Sequence, residues 1–374
     1  MKAVLPKQGQ RAKAKNSQGM PPPGHFLRTF LLTLGIAGAF GLGGFALDRF
    51  LALGLMPLYQ RTLFDADGDI NKINWALLTK ADAYVFGDSR ARQHYDTRIL
   101  RNGTGLQFFN AGVTGRDFVF MNMLRDLLEQ QHKARLYLVD INYHGFDQYP
   151  FRYKPDLKYF APYHRQIAAY RSVAAHDDAP EGHWSYPDKL ALCHSYPFNG
   201  CLVPMFRHWA LGERPQAIEG YVPVAEYRDP NLAANKRMKY YSKLDPFTLK
   251  ELVDFVKQSR KSGIDVVFCI GPYYLGGTDF KLWTVEWDYL RITRQLAKVL
   301  KVPLIDFNVL SYVELRDPRN YTDGDHLNQR GAEFFSKQVA WHLAELKKFQ
   351  AAGRFFASPY YPQIDPKDYL LAIE

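Results

Sequence analysis

The chain has 374 residues, of which 15% are aromatic and 23% are charged, and this composition excludes an intrinsically disordered protein. The net charge is +10, but six basic residues precede the first acidic residue, Asp48, and supply more than half of the excess. The rest of the chain has no basic stripe with interleaved aromatic residues, so nucleic-acid binding is excluded.

The N-terminus has the pattern of a membrane anchor. Residues 1–25 are basic and rich in Gln, Ser, Gly and Pro, which predicts a disordered cytoplasmic tail. Residues 26–50 predict a transmembrane helix, because Thr29 to Leu47 carries no charge over 19 residues, about 28 Å of helix. The basic flank predicts a single-pass protein of the bacterial inner membrane, with its body in the periplasm or otherwise outside the cytoplasm. A cleaved signal peptide is the alternative.

Three small residues share one face of the predicted anchor. Gly35, Ala39 and Gly43 follow one another at intervals of four, and such a stripe lets a second helix approach closely. Glycine is also frequent in membrane helices without any partner. Residues 51–80 then form a membrane-proximal connector that leads into the folded domain. Its apolar start, Leu51 to Pro57, either prolongs the helix or lies at the membrane surface.

Residues 81–350 predict one α/β domain with a parallel sheet, because short apolar strands alternate with helical patterns. The helix at 117–131 has apolar residues at helical spacing, and the helix at 246–262 has Asp245 as N-cap before Pro246 at N1. The predicted strands are 83–86, 107–110, 135–142, 264–270 and 302–306, and the predicted helices are 117–131, 246–262, 285–300 and 328–349. Residues 351–374 are a C-terminal extension.

A long insertion interrupts this alternation after the third strand. Residues 143–244 are dense in Tyr, Phe, Trp, His and Pro and have weak periodicity. Because such long segments are usually functional, we interpret this one as a cap over the carboxyl edge of the sheet. Packing against the membrane-proximal connector is the alternative. Cys193 and Cys201 lie in this segment and are able to form a disulfide in an oxidising compartment, whereas Cys269 is expected in the core.

Polar residues follow several of the predicted strands and gather at one edge of the sheet. Ser89 follows the first strand in the tripeptide Gly-Asp-Ser, and Asn142 ends the third. Asp323 and His326, three residues apart before the last helix, supply an acid and a base that activate a serine hydroxyl. The backbone amide of Gly115 and the side chain of Asn142 are candidate donors to an oxyanion. The shorter spacing of Asp325 to His326 makes it the weaker candidate for the acid.

These residues resemble the four sequence blocks of the SGNH (GDSL-like) hydrolase superfamily, in the same order. The blocks are Gly87-Asp88-Ser89, Asn110-Ala111-Gly112-Val113-Thr114-Gly115, Asn142, and Asp323-Gly324-Asp325-His326. The resemblance implies a flavodoxin-like three-layer fold. It also implies Ser89 as nucleophile, His326 and Asp323 as base and acid, and an oxyanion hole formed by Ser89, Gly115 and Asn142.

The chain departs from the pattern of that family at two positions. The third block is Asp140-Ile141-Asn142-Tyr143 where Gly-x-Asn-Asp is usual, and Arg116-Asp117 follow the second block where a small polar residue is usual. Residues beside the blocks are candidates for substrate binding, namely Arg90, Asn110 and His144, with Arg92 as a weaker one.

A membrane-anchored, outward-facing domain of this type resembles the partners of membrane-bound O-acyltransferases that acylate cell-surface polymers. The resemblance implies transfer of an acyl group, most simply acetyl, through Ser89 to a hydroxyl of a polysaccharide or polyol. It also implies a polytopic membrane-bound O-acyltransferase as partner. No metal or other cofactor is expected. An esterase or deacetylase with the same residues, and a non-catalytic assembly component, are the alternative functions.

Overall fold

The computed structural model describes residues 23–65, 69–146, 153–176, 186–225, 245–274, 288–307 and 313–351. The chain divides into two units, Met1–Phe50 and Leu51–Glu374, and the second unit contains the sheet. Most of the predicted tail, up to residue 22, and the C-terminal extension from residue 352 lie outside the described residues.

The first helix, α1 (Pro23–Gln60), is longer than the charge-free run predicted it to be. Its Phe30–Gln60 part has 31 residues and contains an 18-residue window with a mean hydropathy of 1.9, so the helix is long and apolar enough to cross a membrane, as a signal sequence also is. The first charges, Asp48 and Arg49, lie within the helix, where they form an ion pair of 3.0 Å and the guanidinium of Arg49 lies over the Phe45 ring.

The second unit is built on five parallel strands in the order β2-β1-β3-β4-β5, which confirms the predicted α/β fold. Every residue of the first three strands is buried, as expected for a parallel sheet with both faces covered. The strands are β1 (Ala83–Phe86), β2 (Phe108–Asn110), β3 (Leu136–Asp140), β4 (Asp265–Ile270) and β5 (Leu304–Asp306).

Helices cover the two faces of the sheet in separate layers. Their bounds are α2 (Lys72–Thr79), α3 (Ser89–His94), α4 (Thr97–Thr104), α5 (Phe118–Gln131), α6 (Lys154–Phe160), α7 (Tyr170–His176), α8 (Tyr186–Leu192), α9 (Leu202–Ala210), α10 (Pro246–Lys261), α11 (Asp288–Val299) and α12 (Gln329–Ala351). Tyr84 and Phe86 of β1 pack toward α2, α5, α10 and α11. Ala83 and Val85 point to the other face, toward α3, α4 and α12. This is a three-layer arrangement, and its alternation follows from the period of two along a strand.

The strand order positions the site. Strand β1 pairs with β2 on one side and with β3 on the other, so the connections diverge at the carboxyl ends of β1 and β3. A crevice opens at such a switch point, and open α/β folds bind their ligands there. Ser89 follows β1 and Asn142 follows β3, so both candidate residues lie at this crevice.

Aspartates are the N-cap residues of two long helices, at or next to the positions where the helices were predicted to start. Asp245 accepts a hydrogen bond of 2.9 Å from the backbone N–H of Phe247, and Pro246 occupies the first helical position. Asp117 accepts hydrogen bonds of 2.8 and 3.4 Å from the backbone N–H groups of Val119 and Phe120. The role of Asp117, one of the departures from the family pattern, is therefore to start α5.

Replacing Asp117 by Ala is expected to destabilise the protein by about 1 kcal/mol, because the first turn of α5 loses its acceptor. A chain of this size should then melt about 2 °C lower, as measured by circular dichroism of the full chain in detergent. Asp254→Ala is the matched control, since Asp254 pairs with exposed Lys250 and such pairs contribute little. An equal loss in both variants would contradict the capping role.

The described part of residues 143–244 packs beside the sheet's helices and the connector. Phe160 contacts Phe120 of α5, with 4.9 Å between ring centroids, and the Tyr163 hydroxyl donates a hydrogen bond of 2.5 Å to Asn74 Oδ1. The ring of Phe198 lies 5.8 Å from that of Tyr59. The contacts with Asn74 and Tyr59 are those of the alternative interpretation, packing against the membrane-proximal connector. The cap over the sheet edge stays a prediction.

The three cysteines lie in the described part of the chain, and none of them forms a disulfide there. Cys269 is fully buried on β4, as expected of a core residue. Cys193 is half-buried, with its Sγ 3.5 Å from Ser195 Oγ, and buried Cys201 directly precedes α9.

Candidate active site

The turn after β1 places Ser89 at the carboxyl edge of the sheet. β1 ends at Phe86 and Ser89 is the first residue of α3, so the turn consists of Gly87 and Asp88 alone. Gly87 has a φ of +156°, and a Cβ atom there would lie 2.4 Å from the Cβ of Ala91. Glycine is therefore required before Asp88, because any side chain would clash with the start of α3.

The Ser89 hydroxyl is joined to a histidine that lies 237 residues away in sequence. Ser89 Oγ is 2.8 Å from His326 Nε2, and His326 Nδ1 is 2.9 and 3.0 Å from the two carboxylate oxygens of Asp323. With the Nδ1 proton on the carboxylate side, Nε2 presents a lone pair to the serine hydroxyl. The structure thus brings the three predicted catalytic residues into one hydrogen-bonded chain.

The loop carrying the acid and the base is shaped by Asp323 itself. Asp323 Oδ1 accepts hydrogen bonds from the backbone N–H groups of Asp325, at 2.8 Å, and His326, at 2.9 Å. The backbone N–H of Thr322 donates to the carbonyl of His326 at 2.8 Å, which closes the turn. Asp325 therefore supplies a backbone donor to the acid, and Asp323 is the carboxylate on the imidazole.

The Asp323 carboxylate stays ionised at neutral pH. Burial raises its pKa, but the hydrogen bond and positive charge of His326 outweigh this effect, together with the two backbone N–H donors. The net result lowers the pKa of Asp323 to about 2. An anion at this position holds the imidazole in one tautomer and stabilises its protonated form.

The loop after β2 carries the predicted oxyanion residue Gly115. Gly115 has a φ of +69° in an exposed turn, in which the N–H of Arg116 donates to the carbonyl of Val113 at 3.2 Å. Val113 N–H in turn donates to the carbonyl of Gly87 at 3.0 Å, which ties this loop to the serine turn. A Cβ atom on Gly112 would lie 2.5 Å from the backbone nitrogen of Arg92, so the loop and α3 touch through their backbones.

The turn after β3 carries the other oxyanion candidate. Asn142 is buried, and its Oδ1 accepts a hydrogen bond of 3.2 Å from the backbone N–H of Gly145. This bond fixes the orientation of the Asn142 side-chain amide. Its Nδ2 is the group that donates to an oxyanion if Asn142 has the predicted role. His144, a predicted substrate-binding residue, is exposed in the same turn with its ring 4.0 Å from the centroid of Tyr143.

Asn110 has a structural position that differs from the substrate contact predicted for it. Its side chain is fully buried. Nδ2 donates to the carbonyls of Ala91 and Tyr95, at 2.7 and 3.1 Å, and Oδ1 accepts from the N–H of Gly112 at 3.0 Å. These hydrogen bonds are all made to backbone groups of the protein. The Asn110 side chain therefore links α3 to the loop after β2.

Arg90, another predicted substrate-binding residue, also points into the protein. It is 2% exposed, with its guanidinium 3.7 Å from the centroid of the Tyr273 ring and Nη2 donating to the carbonyl of Pro272 at 3.2 Å. The buried carboxyl groups of Asp88 and Asp140 lower the electrostatic cost of burying this cation. Arg90 therefore lies beneath the site rather than in the open crevice.

Two buried residues that support the site carried no recognisable sequence signal. His94 Nε2 accepts a hydrogen bond of 2.9 Å from the backbone N–H of Leu327, the residue after the candidate base. Burial lowers the pKa of His94, which keeps the ring neutral for this role. Lys72 of the connector donates from Nζ to the carbonyls of Asn110, at 2.9 Å, and of Gly220.

A cavity of about 210 Å³, lined by both polar and apolar side chains, lies on the connector side of the loop after β2. Arg92 crosses it, donating hydrogen bonds of 3.1 Å to Thr114 Oγ1 and to Asp69 Oδ1. The Arg116 guanidinium stacks 4.7 Å above the Tyr159 ring at the cavity wall. Arg92, the weaker candidate for substrate binding, is thus a cavity-lining residue.

The buried carboxyl of Asp140 makes stability depend on pH. Burial raises its pKa to about 6, against the opposing effects of Arg90 and of a hydrogen bond of 2.6 Å from Tyr95. Between about pH 4 and pH 6 the folded state binds the proton more tightly than the unfolded state, so this group's contribution to stability decreases as pH rises through the window. A pKa raised by about 2 corresponds to about 3 kcal/mol.

We expect Asp140→Asn to abolish this contribution, because an amide does not titrate. Melting temperatures of the two full chains are measured from pH 4.5 to pH 7.5. As the pH is lowered from 7.5, the melting temperature of the wild type should rise relative to that of the variant. Identical pH profiles would show that the Asp140 carboxyl has an ordinary pKa.

Comparison with protein-family models finds no match for this chain, and neither does comparison with curated proteins. Among solved structures, a proposed acylhydrolase from Bacteroides fragilis is 10% identical, with a TM-score of 0.34, over 70% of this chain and 87% of that one. An acetyl xylan esterase is 13% identical, with a TM-score of 0.34, over 70% of this chain and 98% of that one. A proposed platelet activating factor from Streptococcus pneumoniae is 10% identical, with a TM-score of 0.35, over 84% of this chain and 99% of that one. Likeness at this level assigns no activity to this chain.

Proposed function

We propose that the chain is a serine-dependent acyl-ester enzyme that transfers an acyl group, most simply acetyl, to a hydroxyl of a cell-surface polysaccharide or polyol. The observation that carries the proposal is the hydrogen-bonded series Ser89, His326 and Asp323 at the carboxyl edge of the sheet. A serine hydroxyl bonded to an imidazole, itself bonded to an ionised carboxylate, is the arrangement that activates a nucleophile.

The first half of the reaction forms an acyl-enzyme. Ser89 Oγ attacks the carbonyl carbon of the donor ester while its proton passes to His326 Nε2. The bond from that carbon to the donor oxygen then breaks, and His326 gives the proton to the departing oxygen. Asp323 remains an anion throughout and stabilises the protonated imidazole.

The second half returns the serine. An acceptor hydroxyl loses its proton to His326 Nε2 and attacks the acyl carbon, and the bond to Ser89 Oγ breaks as Ser89 regains the proton. In both halves negative charge develops on the carbonyl oxygen. The backbone N–H groups of Ser89 and Gly115 and the Nδ2 of Asn142 are the donors that we assign to it.

An esterase would use the same residues with water in place of the acceptor. Two features favour an acceptor. The apolar helix α1 is suited to hold the enzyme at a membrane surface, near envelope polymers. The cavity crossed by Arg92 adjoins the loop that carries Gly115, and Arg92 and Thr114 in its lining are hydrogen-bonding groups suited to a hydroxyl-rich molecule.

The proposal places the enzyme domain outside the cytoplasm, where it would receive its acyl group from a polytopic membrane-bound O-acyltransferase. Helix α1 supports this partner through the small-residue stripe of Gly35, Ala39 and Gly43, which lies in its described part. Enlarging the stripe with Gly35→Leu and Gly43→Leu together should abolish copurification of the partner, because leucine side chains keep the two helix backbones apart. Unchanged copurification would exclude a contact through this face.

The test of the reaction offers the detergent-purified full chain an activated acetyl ester, with and without soluble glycan oligomers or polyols. We expect an acetylated acceptor by mass spectrometry and a rate of ester consumption that rises with acceptor concentration. Release of free acetate alone, with no product from any acceptor, would favour the esterase. Absence of both ester consumption and acylated Ser89 would leave the non-catalytic assembly component.

A further inference from the structure

The cavity crossed by Arg92, which we call the Arg92 cavity, begins close to the candidate nucleophile. Its wall is formed by the connector, by the loop after β2 and by single residues of α3, α5 and α6. Arg92 follows Ser89 by three positions on α3, so both side chains lie on the same side of that helix. Thr114, in the lining, directly precedes Gly115. The wall therefore starts one helical turn, about 5 Å, from the serine.

The size and the mixed lining of the Arg92 cavity suit a single sugar ring. Its volume of about 210 Å³ is below the roughly 300–1,000 Å³ typical of pockets for drug-sized ligands, so it fits a smaller molecule. Apolar surface comes from Ile70, Ile73, Val113 and Phe120. A sugar ring matches such a wall because it carries C–H groups on its faces and hydroxyl groups around its edge.

A strong donor and a strong acceptor lie side by side in this lining. Arg92 and Asp69 form an ion pair of 3.1 Å, and the Asp69 side chain is 52% exposed. Thr114 Oγ1 accepts a hydrogen bond from Arg92, and a hydroxyl that accepts one bond still has its own proton to donate. Hydrogen bonds to ionised groups are stronger than those between neutral groups. A sugar hydroxyl both donates and accepts, so it matches the carboxylate and the guanidinium together.

The charges around the Arg92 cavity disfavour an anionic ligand. Three basic residues and two carboxylates line it, namely Lys72, Arg92, Arg116, Asp65 and Asp69. Arg116 is also paired with a third carboxylate, that of Asp156, at 3.1 Å. Burial lowers the pKa of Lys72 well below its usual value, which favours the neutral amine. Carboxylates thus balance the basic groups, and the half-exposed Asp69 repels an acid group that enters the cavity.

We propose that the Arg92 cavity is the acceptor subsite and that it holds an uncharged sugar residue of the polymer. The ring lies against the apolar wall, and its hydroxyl groups bond to Arg92, Asp69 and Thr114. As an acceptor subsite it rests on the proposed function, whereas sugar binding itself requires no reactive serine. The acceptor class narrows accordingly to neutral glycans, since uronate and phosphate groups would meet the Asp69 carboxylate.

The experiment measures binding in the absence of any ester. The detergent-purified full chain is titrated by calorimetry with a tetramer of glucose and with a tetramer of galacturonate, and the wild type should bind the glucose tetramer more tightly. Asp69→Asn should reduce this preference about fivefold, the effect expected of one partly exposed charge. Asp254→Asn removes an exposed carboxylate of α10 and is the matched control, which should keep the wild-type preference.

Thr114→Val is the second variant, at an exposed position, and it should weaken binding of the glucose tetramer because it lacks the hydroxyl. Melting temperatures establish that each variant is folded. Tighter binding of the galacturonate tetramer to the wild type would overturn the neutral ligand. Unchanged binding in both Asp69→Asn and Thr114→Val would overturn the subsite, because the sugar would then bind elsewhere.

Failure of the proposed function would look different. In that case the glucose tetramer binds with the expected dependence on Asp69, and the activated acetyl ester yields no acetylated tetramer. The converse result, acetylation of the tetramer by a chain whose sugar preference is insensitive to Asp69, would refute the subsite and leave the reaction standing.

Discussion

Ser89→Ala is expected to lower the rate of acyl-ester consumption by about 10⁴- to 10⁶-fold, the loss typical of removing the nucleophile from such a triad. The physical reason is that His326 would have no hydroxyl to deprotonate within its 2.8 Å hydrogen bond, and no acyl-enzyme could form. The rate is measured with an activated acetyl ester, and the acyl-enzyme by intact-protein mass spectrometry after a rapid quench.

Ser172→Ala is the control for this prediction. Ser172 is exposed on α7, and its hydroxyl donates to a nearby backbone carbonyl, that of Ala169, at 2.8 Å. This variant should keep both the rate and the acylated species. If Ser89→Ala were to retain acylation at another residue, the nucleophile would lie elsewhere and the proposed function would lose its central observation.

Asp323→Asn is expected to lower the same rate by about 10³- to 10⁴-fold while leaving the fold intact. An amide in place of the carboxylate favours the wrong tautomer of His326, because its NH₂ group would donate where the carboxylate accepts. It also removes the anion, held at a pKa of about 2, that stabilises the imidazolium. Protein melting temperature, recorded alongside the rate, separates this effect from unfolding.

Asp325→Asn is the matched variant, two residues along the same loop. Asp325 contributes its backbone N–H to Asp323 Oδ1, and this bond survives the substitution. Because the triad is unaltered, the variant should keep most of the wild-type rate. Comparable losses in the two variants would mean that removing either negative charge from this loop lowers the rate. A larger loss in Asp325→Asn would identify Asp325, and not Asp323, as the acid of the triad.

The strands and long helices could be predicted because their signals are local. The buried run Ala83–Phe86 matches β1 as predicted, and the Asp245-Pro246 start matches that of α10. The connector helix α2 and the short helices α3 and α4 were missed, since six to eight residues give little periodicity. The charge-free run marks only the apolar part of α1, and the helix extends through Asp48 to Gln60 because charged residues do not by themselves end a helix.

The candidate triad could be predicted because each of its residues lies beside a recognisable element: Ser89 follows β1, and Asp323 and His326 precede the last helix. The supporting residues could not, because their partners are backbone groups far away in sequence. Lys72 binds the carbonyl of Gly220, and His94 binds the N–H of Leu327, so neither leaves a spacing pattern. Arg90 and Asn110 show the converse: polar residues next to a motif were predicted to face substrate, and both are buried.

The 237 residues between Ser89 and His326 also have a consequence for biosynthesis. A chain made at about 5–20 residues per second exposes its serine roughly 10–50 s before its histidine emerges. During that interval the hydroxyl has no base, and β4 and β5 join the sheet only late. If the proposed function holds, the nascent chain has no activated serine during that interval, and the triad is complete only when His326, just before the last helix, has emerged.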